Sequence, residues 1–229
     1  MHYFPLGVGV ATLFFAILLF LLFFIQIRLL GHAYSALGLD PRVAMLVLFG
    51  SLLGSYINLP LARLPEQRVM SREVVELFGV PFLAPVTVDW PGTILAINVG
   101  GAVIPIMLSF YLLVRYDLWG LAAVATAIVA FAVHRVATPI PGVGISVPTI
   151  APPLLAAGVA LVLSRRFAAP IAYIGGSLGV LIGADLLNLG RLRGLGAPVA
   201  SIGGAGTFDG IFLTGVIAVL LASLVADRR

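Results

Sequence analysis

The residues whose types and placement could do chemistry are two aspartates, Asp185 and Asp209. Asp185 stands late in the apolar stretch IAYIGGSLGVLIGADLLNLG (171 to 190), and Asp209 heads FDGIFLTGVIAVLLASLVA (208 to 226). A carboxylate in the hydrocarbon region of a bilayer costs about 3 kcal/mol on insertion scales, so such a group usually faces protein or water and has a task. One acid ends an apolar segment, the other starts the next, and the loop GRLRGLGAPVASIGGAG joins them, which predicts similar depth near one membrane face. Two carboxylates that share a site cannot easily both ionise, so the pair holds a single proton between them. Such a pair can hydrolyse an amide, with one carboxylate as general base on a water and the other as acid towards the carbonyl oxygen.

Each acid also has a plainer reading. A negative charge about a turn from the end of its helix opposes the macrodipole, so local helix physics does not place Asp185 there; a partner such as Arg135, Arg191 or Arg193 would. Asp209 follows GGAGT and precedes an apolar run, so it could cap the last helix by accepting its orphan N–H groups. The cap leaves the glycine density unexplained. Gly203, Gly204, Gly206 and Gly210 let backbone approach an occupant and permit hinge motion, which makes Gly206, Thr207 and Gly210 candidate substrate-binding positions and the 190 to 206 loop a candidate gate.

Asn188 lies three residues after Asp185 and is read as sharing its helix face. Asn98 precedes Gly100, Gly101 and Pro105, a combination that breaks a helix and could free carbonyls for an ion. The alternative for both amides, and for Asn58, is an interhelical hydrogen bond. His2, His32 and His134 have no metal-ligand spacing. Cysteine is absent from the sequence, which removes disulfides, thiolate nucleophiles and cysteine metal sites. No metal or cofactor is expected.

The elements that must position these groups are membrane helices. Of 229 residues, 61% are hydrophobic and only 10% charged, and the mean hydropathy of +1.17 is beyond that of a soluble domain. The expected fold is an all-α polytopic bundle forming a single domain over 1 to 229. About seven spans are predicted, at 5 to 29, 42 to 59, 92 to 114, 118 to 136, 150 to 164, 169 to 189 and 209 to 226. The fifth is short and follows ATPIPGVGISVPTIAPP, so it reads as broken or re-entrant as readily as spanning. The stretch from Pro5 to Ile27 lacks a charged leader and is read as a retained first helix.

Residues 61 to 90 form the one sizeable polar insertion. REVVELFGV and PFLAPVTVDW carry β-branched residues in partial alternation, which predicts an extended segment or β-hairpin outside the bilayer, with Pro81 and Pro85 confining it to edge strands. Gly50 and Gly54, Gly175 and Gly179, and Gly179 and Gly183 are small-xxx-small pairs that let helices approach closely, so the sixth span should be buried. No internal repeat is visible, which speaks against an inverted-repeat transporter. All 13 basic residues are arginine, for a net charge of +4. They fall at segment ends, where they anchor the chain to lipid headgroups; no basic run suggests nucleic acid. Arg28 after the first span tips the orientation towards an external N-terminus and a cytoplasmic C-terminus.

The stretch Gly206-Thr207-Phe208-Asp209-Gly210 resembles the glycine-x-glycine-aspartate motif of the intramembrane aspartyl proteases, the presenilin, signal-peptide-peptidase and prepilin-peptidase group, with Phe208 in place of the second glycine. Those enzymes pair an aspartate late in one helix with one heading another. The resemblance covers about the last 60 residues and implies Asp185 and Asp209 as a catalytic dyad and a transmembrane peptide as substrate. Across the whole chain, GSYINLP, GADLLNLGR and GGAGTFDGIFLTG look similar to a family of prokaryotic multi-pass proteins labelled only as a domain of unknown function. That similarity implies a place in the prokaryotic cytoplasmic membrane and no activity. Three readings stand: a protease-like enzyme on the two acids; a small transporter or channel that uses them with Asn98 and Asn188 to bind a cation or proton; and a non-enzymatic scaffold whose acids pair with arginine.

Overall fold

The computed structural model describes residues 8–65, 67–77, 80–90, 92–140, 144–192, 198–204 and 210–226. Seven α-helices lie among them: α1 (Val8–Ala36), α2 (Pro41–Gly54), α3 (Ile104–Tyr116), α4 (Trp119–Val136), α5 (Ala151–Leu163), α6 (Ala168–Val180) and α7 (Gly210–Ala226). They follow the seven apolar segments in order. Four helical stretches, Phe15–Ala36, Val99–Tyr116, Trp119–Val136 and Ala168–Arg191, are long and apolar enough to cross a membrane, the mark of a membrane protein. The remaining helices, α2, α5 and α7, are 14, 13 and 17 residues long. At 1.5 Å per residue they reach about 20 to 26 Å, short of the roughly 30 Å hydrocarbon core.

The bundle is organised around α6, whose glycines set the spacing. A Cβ on Gly175 would stand 2.9 Å from the Ala125 methyl, and one on Gly179 would stand 2.6 Å from a Val129 methyl. A Cβ on Gly183 would stand 2.9 Å from the Ala130 Cα. One face of α6 therefore lies directly on α4, the close approach the small-xxx-small spacing predicts. Gly176 faces Thr214 of α7 and Ala156 of α5, and Gly215 of α7 faces Ser177 and the Tyr173 ring. Ile171, Tyr173, Ile174 and Ser177 are all buried. Lipid offers no hydrophobic drive between helices, so the contact must rest on dispersion between closely fitted surfaces.

Among the described residues seven strands accompany the helices: β1 (Asn58–Arg63), β2 (Gln67–Leu77), β3 (Val80–Trp90), β4 (Ile94–Asn98), β5 (Thr138–Ile140), β6 (Gly144–Ser146) and β7 (Val199–Ile202). β2 and β3 pair antiparallel from Gln67↔Trp90 to Leu77↔Val80. Pro81 and Pro85 sit in β3, where a two-stranded ribbon leaves every strand an edge. β5 and β6 form a second short ribbon before α5.

The three-stranded sheet β1-β4-β7 corrects the expectation of an all-α bundle with one hairpin. β4 runs antiparallel to β1 and parallel to β7. The stretch 92 to 114 is consequently not one helix: it is strand to Asn98, a π-helical turn over Val99–Val103, then α3. The Asn98 side chain accepts the Gly101 N–H at 2.8 Å and so starts the helix there. The 190 to 206 loop is likewise partly ordered by pairing, since β7 is held along β4 from Ile94↔Val199 to Ile97↔Ile202.

Candidate functional site

Asp185 sits where helical geometry changes twice. After Val180 the α6 backbone widens into a π-helical turn, Leu181–Asp185, and then tightens into a 3-10 turn, Leu186–Leu192. π-turns inside helices are uncommon and recur at functional sites, because they re-aim the side chain that ends them. Asn188, fully buried, closes this junction. Its Nδ2 donates to the carbonyls of Gly183 at 2.8 Å and Ala184 at 2.9 Å. The amide thus turns back on the helix that carries it, which differs from a residue projecting beside Asp185 on a regular helix face. Its Oδ1 is buried without a hydrogen-bond partner among the described residues.

The Asp185 carboxylate is half-buried and accepts the Gly203 N–H at 2.8 Å. Gly203 follows β7 in a turn in which Gly204 donates to the Ser201 carbonyl at 3.1 Å. Its φ of +86° and its approach to Ala102, where a Cβ would stand 2.6 Å from the Ala102 methyl, both require glycine. Ala102 belongs to the π-turn that Asn98 starts. The end of α6 is therefore tied through Gly203 to the start of the α3 segment, two places that α3, α4, α5 and α6 separate in sequence.

Asn98 is buried and anchors the other side of this junction. Its Nδ2 donates to the Ser55 carbonyl at 2.7 Å and to Asn58 Oδ1 at 3.1 Å, and Asn58 Oδ1 also accepts from Ser201 Oγ at 2.6 Å. Ser51 Oγ donates to the Gly100 carbonyl at 3.0 Å. One amide thus ties α2, the π-turn and β1 together, the interhelical hydrogen-bonding role that the sequence left open beside ion binding.

A cavity of about 260 Å³ opens beside Asp185. Its walls are Val180, Ala184 and Asp185 from α6 and its π-turn, Gly210, Ile211, Leu213 and Thr214 from the first turns of α7, and Ile145, Val147, Pro148 and Thr149 ahead of α5 with Pro152 inside it. It has room for several water molecules, each of about 30 Å³ in the liquid. Of the residues expected to form the site, Asp185 and Gly210 are brought together here. Asn98 and Asn188 serve the backbone as described. Asp209, Gly206 and Thr207 lie outside the described residues. Arg135, considered as a partner for Asp185, holds its guanidinium 5.7 Å above the Phe131 ring. Among the described residues no group of three or more acidic, histidine or cysteine side chains could hold a metal.

Sequence reasoning named Asn58 beside Asn98 but missed Gly203 as the donor to Asp185 and Ser201 as a member of the same polar junction. The usable signal was the pair Gly203-Gly204 directly after the β-branched VASI.

Fold and site together define a helical membrane protein with a carboxylate presented by a π-turn to a cavity between α6, α7 and the segment before α5. The chain belongs to the family described as Protein of unknown function (DUF1614), whose model matches residues 52–221. No curated protein and no solved structure matches it.

Proposed function

We propose that Asp185 and Asp209 form an aspartyl dyad that hydrolyses a peptide bond in a membrane-embedded segment. The observation that carries this reading is that Asp185 and Gly210 line one cavity of about 260 Å³, and Gly210 is joined by a single peptide bond to Asp209. In the proposed reaction the ionised carboxylate takes a proton from a water whose oxygen attacks the carbonyl carbon, while the protonated partner donates to the carbonyl oxygen. Collapse of the tetrahedral diol breaks the C–N bond and delivers a proton to the leaving nitrogen. The Gly203 N–H anchors one Asp185 oxygen throughout. In this reading the bundle of about seven helices lies in a prokaryotic cytoplasmic membrane, with α5 spanning or re-entrant, the 61 to 90 insertion lies outside the bilayer, and the substrate is a transmembrane peptide.

A cation-coupled transporter built on the same acids would also enlist Asn98 and Asn188. A cation would be held by amide oxygens, and the Asn98 Oδ1 already accepts the Gly101 N–H, which favours the dyad; the Asn188 Oδ1, buried without a hydrogen-bond partner among the described residues, is the amide oxygen that this second reading would use.

Asp185→Asn and Asp209→Asn, each reconstituted with a transmembrane reporter, test the proposal. Folded, inserted variants that have lost cleavage support the dyad, because neither remaining acid can perform both proton transfers. Cleavage equal to wild type in both variants overturns it. Ion- or substrate-dependent uptake by proteoliposomes, lost in the same variants without any cleavage product, would select the transporter.

A further inference from the structure

Three hydroxyl groups meet in the core of the bundle without completing a hydrogen bond. They belong to Tyr34 of α1 and to Tyr173 and Ser177 of α6, and each of these residues is only 1% exposed. Tyr173 and Ser177 stand one turn apart on the same helix face. The Tyr173 hydroxyl lies beside that of Ser177 and within electrostatic reach of that of Tyr34. The Ser177 oxygen and the edge of the Tyr173 ring also converge on Gly215 of α7, where a Cβ would stand 3.1 Å from Tyr173 Cε2. None of the three oxygens has a hydrogen-bond partner among the described residues.

An orphaned buried hydroxyl is costly, and the hydrocarbon interior supplies no bulk water to relieve it. Three of them at one place can share one remedy. A water molecule offers two lone pairs and two protons, and internal waters typically make about three hydrogen bonds to buried polar groups left unpaired by the protein. Each hydroxyl can donate or accept, so a single water can accept from two of them and donate to the third. All three groups are uncharged, which suits a neutral ligand.

We infer that Tyr34, Tyr173 and Ser177 bind an internal water that fastens α1 to the α6–α7 pair. α1 is otherwise lightly attached: among its described residues only Ala33 and Tyr34 are buried. The Tyr34 carbonyl accepts the N–H groups of Leu37 and Leu39, at 3.1 and 3.3 Å, and so closes the turn that leaves α1. The same residue thus ends the helix with its backbone and docks it with its hydroxyl. None of the three residues lines the cavity beside Asp185, and the inference stands independently of peptide cleavage.

A crystal structure of the full chain that resolves ordered water tests the site directly. One water within hydrogen-bond distance of all three oxygens is expected, and its absence overturns the inference. Thermal unfolding in a single detergent tests the energetics. Tyr34→Phe, Tyr173→Phe and Ser177→Ala should each lower the midpoint by about 2 to 4 °C. The Tyr34→Phe/Tyr173→Phe double variant should lose less than the sum of its parts, because both changes remove bonds to one molecule. Tyr173→Phe/Ser223→Ala should be additive, since Ser223 Oγ donates to the Leu220 carbonyl of its own helix at 3.0 Å. Phenylalanine variants as stable as wild type would mean that the hydroxyls bind nothing. Additive losses at Tyr34 and Tyr173, or equal coupling in the Ser223 control, would mean that they share no ligand, and any of these results overturns the inference.

Discussion

The Gly203 N–H donates to the Asp185 carboxylate at 2.8 Å across a separation of 18 residues. This bond joins the π-turn that ends α6 to the turn that ends β7, and β7 is in turn held by β4. The acid is thereby fixed by backbone on both sides: its own helix, gripped by Asn188, and the sheet, gripped by Asn98. A carboxylate tied to backbone in this way is held in place in the cavity wall.

Gly203→Ala should therefore disturb the site as well as the fold. The left-handed backbone costs a β-carbon-bearing residue of order 1 to 3 kcal/mol, and the new methyl would stand 2.6 Å from that of Ala102. Chemical unfolding in detergent should show a loss in that range, accompanied by loss of reporter cleavage. Wild-type stability in this variant would mean that the β7 turn does not bear on Asp185.

Asn188→Ala removes the donor that two buried carbonyls share, those of Gly183 and Ala184. Leaving buried acceptors unpaired costs about 1 to 3 kcal/mol per group. We expect thermal stability to fall and hydrogen exchange to rise at residues 181 to 192 first, because the π and 3-10 turns lose their tie. Exchange unchanged in that segment would assign the turn geometry to packing on α4 instead.

The glycines of the bundle separate by position. At Gly183 a methyl would meet Ala130 backbone, with its Cα at 2.9 Å, so Gly183→Ala must push α6 from α4 and should destabilise by about 1 to 3 kcal/mol. At Gly158 of α5 nothing lies within 4 Å, so Gly158→Ala should be neutral or stabilise by up to about 1 kcal/mol through helix propensity. Equal responses at the two sites in a thermal denaturation series would count against the α4–α6 contact.

The sequence carried the helices because each is set by a long apolar run: 118 to 136 is helical from Trp119 to Val136, and 150 to 164 from Ala151 to Leu163, whereas α1 runs past 29 to Ala36 and α2 stops at Gly54, short of 59. It did not carry β4 or β7. Ile94 to Asn98 sits inside an apolar run that fits a helix equally well, and VASI is four residues whose extended form depends on β4 beside it, a partner about a hundred residues away. Pairing at that distance has no local signature. The π-turn at Asp185 is equally silent, since it changes the spacing of hydrogen bonds and leaves the composition untouched. The sequence at Asn98 reads as a helix break before two glycines, whereas Asn98 ends a strand and starts a π-turn, and its partners Ser55 and Asn58 could only be found in three dimensions.

Replacing Asp185 in two ways separates its chemistry from its structural bond. Asparagine keeps an oxygen of the same placement, able to accept the Gly203 N–H, while it cannot take or give the proton that hydrolysis requires. Leucine keeps neither. Asp185→Asn should therefore unfold near the wild-type midpoint and fail to cleave, whereas Asp185→Leu should also lose about 1 to 3 kcal/mol, because the Gly203 N–H loses its acceptor. Thermal unfolding of both variants in the same detergent, read beside the cleavage assay, makes the comparison. If asparagine destabilises as much as leucine, the negative charge rather than the hydrogen bond holds this junction, and the balance would move towards an acid retained to pair with a cation.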